Sequence, residues 1–178
     1  MVKRRRLEGL VRVGGAVLIL SAAAGLLAAH IESKQAPLFV IERSTNANVV
    51  HYDANIGADG QLDPRQPISA YWVMAAVDGH REELTSLEKS RAYGFTVEPS
   101  QDSNSYRLRL VAQRRRDIAI VRQGDAIRAE AVIDGHRACL KRLYVNTHSV
   151  LAVPMVKYIE LFGTDLATGE SVSERVLP

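Results

Sequence analysis

The run Tyr106-Arg107-Leu108-Arg109-Leu110 alternates apolar and charged side chains one by one. An extended strand sorts such a run into two faces, because its successive side chains point to opposite sides of a sheet. Here the tyrosine and leucines take one face and the arginines the other. Ile118 and Ile120 resume the pattern after Arg114-Arg115-Arg116, which completes a hairpin with a charged tip. A second hairpin sets Ile127, Ala129, Ala131 and Ile133 against Arg128 and Glu130, then turns at Asp134-Gly135 into His136 to Val145. Period two dominates the chain after Pro37. It predicts strands near 38–43, 47–54, 68–77, 94–98, 105–113, 117–122, 126–133, 136–147, 155–163 and 170–176. So many strands at short spacing imply a mainly β fold, an antiparallel barrel or sandwich of about 8–10 strands.

One segment departs from this rhythm. From Arg81 to Tyr93 the residues Glu82, Glu83, Leu84, Leu87, Glu88 and Lys89 favour helix, with Leu84 and Leu87 facing the sheet and Gly94 at the C-cap. Thr85-Ser86-Leu87-Glu88 also reads as a capping box, which would start the helix later and leave it about two turns long.

The start of the chain has a different character. Lys3, Arg4, Arg5, Arg6 and Arg12 lead into an almost uncharged apolar run from Val13 to Ala29, the pattern of an export signal forming an N-terminal hydrophobic helix. Small residues at Ala24 and Ala29 suit cleavage. The run of about 17 residues is also just long enough to anchor the chain if it is retained. Either outcome puts the rest of the chain outside the cytoplasm, as a periplasmic or secreted domain or one anchored in the inner membrane. Residues 1–29 are therefore read as signal or anchor, 30–37 as a polar spacer, and 38–178 as one domain.

The whole chain carries a net +3, but five of its Lys and Arg lie before residue 30 with only Glu8 to oppose them. The remainder holds 18 basic and 19 acidic residues, a net of −1. A nucleic-acid partner needs a basic surface that this balance does not supply. Membrane association is expected only through residues 13–29. The Arg114-Arg115-Arg116 cluster reads as a solvated hairpin tip, with an anion or membrane-surface role as its alternative.

Metal and covalent chemistry find no motif. Cys139 stands alone, so it can form neither an intramolecular disulfide nor a zinc site, and it reads as a strand-core residue. His30, His51, His80, His136 and His148 show no ligand spacing. The loop Asp53 to Asp63 places oxygen side chains at alternate positions as calcium loops do, but lacks the terminal bidentate Glu and flanking helices. It reads as a turn-rich connection. No Gly-x-Ser-x-Gly elbow occurs, and no cofactor is implied.

Several stretches together point to a family. Leu38-Phe39-Val40-Ile41-Glu42-Arg43-Ser44 with Asn46 and Asn48, Tyr52-Asp53-Ala54-Asn55, Tyr71-Trp72-Val73-Met74, Glu83-Leu84-Thr85 with Glu88, and Ala92-Tyr93-Gly94-Phe95 resemble an uncharacterised bacterial family, domain-of-unknown-function family four-eight-three-three. Gly135-His136, Leu143-Tyr144-Val145 and Tyr158 to Gly163 resemble its C-terminal half. The resemblance covers nearly all of residues 38–178 and implies a single domain. It implies no substrate, cofactor or catalytic residue.

The candidate ligand site gathers aromatic and polar residues: Arg43, Asn46, Asn48, Asp53, Tyr71, Trp72, Glu82, Glu88 and Tyr93. Tyr71 and Trp72 are adjacent in one strand, so one faces the core and the other a different surface. Two functions stay open. One is a non-catalytic extracytoplasmic domain that holds a small molecule or an envelope protein. The other is a hydrolase drawing acid and base from Glu82, Glu88 or Asp53 near Tyr71 and Arg43.

Overall fold

The computed structural model describes residues 34–101, 105–150 and 153–178. Residues 1–29, expected to be an export signal or anchor, lie outside the described residues. Among those described, no helix is long and apolar enough to cross a membrane.

The described chain is mainly β, with one short helix. Its strands are β1 (Lys34–Arg43), β2 (Asn46–Ile56), β3 (Ile68–Val73), β4 (Arg81–Glu83), β5 (Phe95–Pro99), β6 (Ser105–Leu110), β7 (Ile118–Gln123), β8 (Ala126–Ile133), β9 (His136–Val150), β10 (Val153–Asp165) and β11 (Ser171–Val176). The helix α1 (Ser86–Glu88) runs on into a π turn at Lys89–Tyr93. Residues 34–37, assigned by composition to a spacer, open β1, where Lys34 pairs with Ile56.

The long strand β9 organises the sheet. Its residues 138–150 pair with β10 along one edge, and β11 follows β10. Residues 136–139 of β9 also pair with β8, and residues 142–145 pair with β1. A strand has two edges and β10 occupies one, so β8 and β1 share the other, one after the other along it. Two wings diverge from that fork, β1-β2-β3-β4 and β8-β7-β6-β5. They curl toward each other and enclose the core, with Val50, Tyr52, Phe39 and Trp72 from one wing and Leu108, Leu110, Ile118 and Ile120 from the other.

The outer strands of the wings, β4 and β5, do not pair, so the sheet is an open half-barrel rather than a closed barrel or two-sheet sandwich. β4 offers only three residues to a ladder. Beyond it the chain leaves the sheet through α1 and the π turn before returning as β5. Side chains bridge the gap instead. Tyr52 of β2 packs edge-on against Phe95 of β5 at 5.8 Å and donates its hydroxyl to the Tyr93 carbonyl at 2.6 Å. The expectation of a wholly antiparallel sheet also needs correction, because β1 and β9 run parallel. About 100 residues separate those strands, ample chain for the return that parallel pairing requires.

The helix over 81–93 is the other correction. Arg81, Glu82 and Glu83 pair with Val73, Trp72 and Tyr71 as β4, so tertiary pairing overrides their helical propensity. The capping box starts the helix: the Thr85 side chain accepts from the Glu88 amide, and the Glu88 carboxylate accepts from the Thr85 amide. Leu84 is buried as expected, whereas Leu87 is 63% exposed and does not face the sheet. Gly94 follows the π turn with an extended backbone, φ −69°. Its small size matters for clearance, since a Cβ there would stand 1.7 Å from the Lys89 carbonyl oxygen. At the β8–β9 hairpin, by contrast, Asp134 (φ 49°) and Gly135 (φ 79°) adopt the left-handed backbone of a tight two-residue turn.

Candidate functional site

Pairing register divides the sequence candidates between two faces of one wing. Val50 lies opposite Trp72 and both point into the core, so His51 and its partner Tyr71 point outward. The expectation that Tyr71 and Trp72 face opposite ways holds, and it splits the predicted site.

On the inner face, Arg43, Asn46, Trp72, Glu88 and Tyr93 form one connected cluster. The Arg43 guanidinium lies over the Trp72 ring, 4.4 Å from its centroid, and Tyr93 meets the same ring edge-on at 5.0 Å. Such a contact adds electrostatic attraction to burial. Trp72 Nε1 donates to Glu88 Oε1 at 3.1 Å, tying β3 to α1. Asn46 Oδ1 accepts from Arg43 Nη2 at 3.3 Å and from the Asn48 amide at 3.1 Å. Burial would raise the Glu88 carboxyl, but hydrogen bonds from the Thr85 amide and hydroxyl and from Trp72, with the nearby Arg43 charge, hold it below its ordinary value. Burial pushes the Tyr93 hydroxyl up, partly offset by the charge and hydrogen bond of Arg43. Arg43 Nε is buried without a partner.

On the outer face, Tyr71 donates to Asp53 Oδ2 at 2.5 Å, and Arg81 covers the Tyr71 ring at 3.6 Å. Burial, the hydrogen bond to Asp53 and the Asp53 charge push the Tyr71 hydroxyl up to about 12, against the opposing charge of Arg81. Asp53 Oδ1 is buried without a partner. Asn48 belongs to neither group: its side-chain oxygen accepts from the Ala76 amide at 2.9 Å and secures the loop after β3. Glu82 is exposed on the edge strand β4. Asp53 is therefore separated by the sheet from Trp72 and its partner Glu88, while Glu82 lies opposite Trp72 on β4 with its side chain exposed.

Arg43 and Tyr93 reach a cavity of about 720 Å³ between the wings. Its wall is apolar, built from Ile41 of β1, Leu110 of β6, Leu143 and Val145 of β9, and Ile159 of β10. Arg91 from the π turn and Arg114 and Arg115 from the β6–β7 connection join Arg43 in the lining, which also includes Thr45, Gln113 and Thr147. Residue spacing could not reveal this site, because its lining comes from six separate segments. The sequence signals that fall on it are Arg43 and Tyr93 of the expected ligand site and the Arg114-Arg115-Arg116 run. Within that run, Arg116 is held by Glu174 through contacts of 2.6 and 2.8 Å, leaving Arg114 and Arg115 exposed.

The other motifs resolve locally. In the loop after β2, Asp59 Oδ1 accepts from the Gln61 amide at 2.9 Å and Asp63 Oδ1 from the Arg65 amide at 2.8 Å, so these oxygens shape turns. Among the described residues, no group of three or more His, Cys, Asp and Glu could hold a metal ion. His136 Nδ1 lies 2.6 Å from Asp165 Oδ2. Backbone hydrogen bonds from Ala167 and Thr168 hold Asp165 below the usual carboxylate range, against burial and with the help of His136. Cys139 is half-buried rather than a full core residue.

No curated protein and no solved structure matches this chain. Residues 39–175, most of the 178, match the family described as Domain of unknown function (DUF4833), and the chain belongs to that family.

Proposed function

We propose that this chain is an exported, non-catalytic binding domain whose ligand site is the cavity between the two wings. The observation that supports this most is the cavity itself: about 720 Å³, apolar-walled, and joined through Arg43 and Tyr93 to the polar-aromatic cluster around Trp72. That volume falls within the roughly 300–1,000 Å³ of small-molecule sites, and an apolar wall with a few polar groups is their usual composition. None of Asp53, Glu82 and Glu88 lines the cavity, which favours binding over hydrolysis there, since acid–base catalysis needs two groups within reach of one substrate. A small molecule suits this concave site better than an envelope protein.

Export rests on the basic cluster and the apolar run of residues 13–29, a signal cleaved near Ala24 or Ala29 or retained as an inner-membrane anchor. The domain then works in the periplasm or beyond the cell. An intact mass from fractionated cells tests this: a cleaved chain in the soluble extracytoplasmic fraction, or a full-length chain in the membrane, agrees with it. Full-length protein in the cytosol overturns it.

Binding is tested with a neutral naphthylamine dye, whose fluorescence rises in an apolar site. The protein should take up the dye saturably, and Val145→Trp, which fills the cavity from its wall, should abolish uptake while leaving the circular dichroism unchanged. Equal uptake by that variant would place binding elsewhere.

A further inference from the structure

We propose that the ligand of this cavity is a single-chain amphiphile with an anionic head, carboxylate or phosphate, gripped by Arg43, Arg91, Arg114 and Arg115. The proposal rests on the cavity being a ligand site and adds the chemistry of its occupant.

The first argument is charge left unanswered. Nearby Arg109 and Arg116 each have an acid, Asp117 at 2.5 Å and Glu174 at 2.6 Å. Among the described residues, no ion pair takes any of the four cavity arginines. Glu88 lies near Arg43, but its oxygens are engaged by Thr85 and Trp72. Arg43 keeps a buried Nε–H with no acceptor. The chain after residue 29 carries a net of −1, so four unpaired guanidinium groups around one cavity are a local concentration against the overall balance. Guanidinium is planar with paired donors, and matches carboxylate and phosphate oxygens two at a time.

The second argument is the wall. Ile41, Leu110, Leu143, Val145 and Ile159 offer an anion's head group nothing, but they shelter an alkyl chain from water. Arginines from the β1 end, the π turn and the β6–β7 connection line the same cavity and supply donors for the head. A small hydrophilic anion would leave the wall unused, and a neutral lipid would leave the arginines unused.

The test compares monomeric dodecanoate with dodecanol as competitors for the naphthylamine dye, using the full chain. Dodecanoate should displace the dye at a concentration at least about tenfold lower than dodecanol. Added salt should narrow that gap, because screening weakens the ionic contacts and spares the apolar ones. In Arg114→Gln/Arg115→Gln the preference should collapse toward parity, and in Arg114→Lys/Arg115→Lys it should partly survive, with circular dichroism confirming the fold of each. Parity in the wild-type protein, with dye uptake intact, overturns the anionic head and leaves the cavity as a neutral site. Failure of the wild-type protein to take up dye or dodecanoate overturns the cavity reading itself. Sedimentation with anionic vesicles without dodecanoate competition would also overturn the proposal, since the arginines would then serve a membrane surface.

Discussion

Replacing Tyr52 by Phe removes one oxygen from the place where the half-barrel is held together by side chains instead of a strand ladder. Tyr52 is 0% exposed, stacks on Phe39 at 4.5 Å and meets Phe95 at 5.8 Å. Phenylalanine can keep both ring contacts, so the substitution isolates the 2.6 Å hydrogen bond to the Tyr93 carbonyl. A buried hydrogen bond contributes about 1 kcal/mol net, and a carbonyl left without its donor raises the loss to about 1–3 kcal/mol. Sparing the phenol its own desolvation offsets part of this, which gives an expected loss of about 1.5 kcal/mol. For a chain of this size that lowers the melting temperature by roughly 3–6 °C. Urea unfolding followed by circular dichroism and by the fluorescence of Trp72, the single tryptophan, measures it directly. The midpoint should fall with an unchanged slope. A variant within about 0.3 kcal/mol of the wild type would refute the argument, because the Tyr93 carbonyl would then have no need of the Tyr52 hydroxyl.

Gly94→Ala should cost more than Tyr52→Phe, since its Cβ would meet the Lys89 carbonyl at 1.7 Å; a loss of stability with altered Trp72 fluorescence is expected, and a neutral result would mean that the π turn relaxes freely. On the alkaline side, Tyr71 has a folded pKa of about 12 against an ordinary 10.0, so its contribution is complete below pH 10.0 and is lost as pH rises toward 12. Tyr71→Phe should flatten that part of the alkaline unfolding profile, and an unchanged profile would contradict the assignment. On the acid side, the folded Glu88 carboxyl titrates below its ordinary value, so its contribution is present above the unfolded value of 4.5 and fades as pH falls through the lowered one. Glu88→Gln should reduce the acid dependence of stability and shift Trp72 emission, both followed in one pH titration.

Local patterns made the hairpins legible. The alternation from Ala126 to Val145 and the Asp134-Gly135 turn act over neighbouring residues, and the turn has the positive φ values that such a dipeptide favours. The opposite orientation of Tyr71 and Trp72 followed from the same period. Beyond that range the sequence is silent. Nothing near Val40 to Arg43 announces a parallel partner at Arg142 to Val145. Arg81-Glu82-Glu83 has the composition of a helix and becomes a strand because Val73, Trp72 and Tyr71 offer it a ladder. The predicted site shows the same boundary. Arg43, Asn46, Trp72, Glu88 and Tyr93 meet in the fold, whereas the pleat carries Asp53 and Tyr71 to the other face. The cavity itself depends on the fork at β9, which brings Leu143 and Val145 beside Leu110 and the arginines. Arg43, Tyr93 and the Arg114-Arg115 pair were visible beforehand, and the wall that brings them to one cavity was not.

The central claim is that the cavity between the wings is the binding site, and methyl-resolved nuclear magnetic resonance during a titration with the neutral dye tests it most directly. The account predicts progressive, saturable shifts of the methyl groups of Ile41, Leu110, Leu143, Val145 and Ile159, which line the cavity, and little change at Val132 on the exposed surface. Shifts centred on Val132, with the cavity methyls unmoved at saturation, would contradict it.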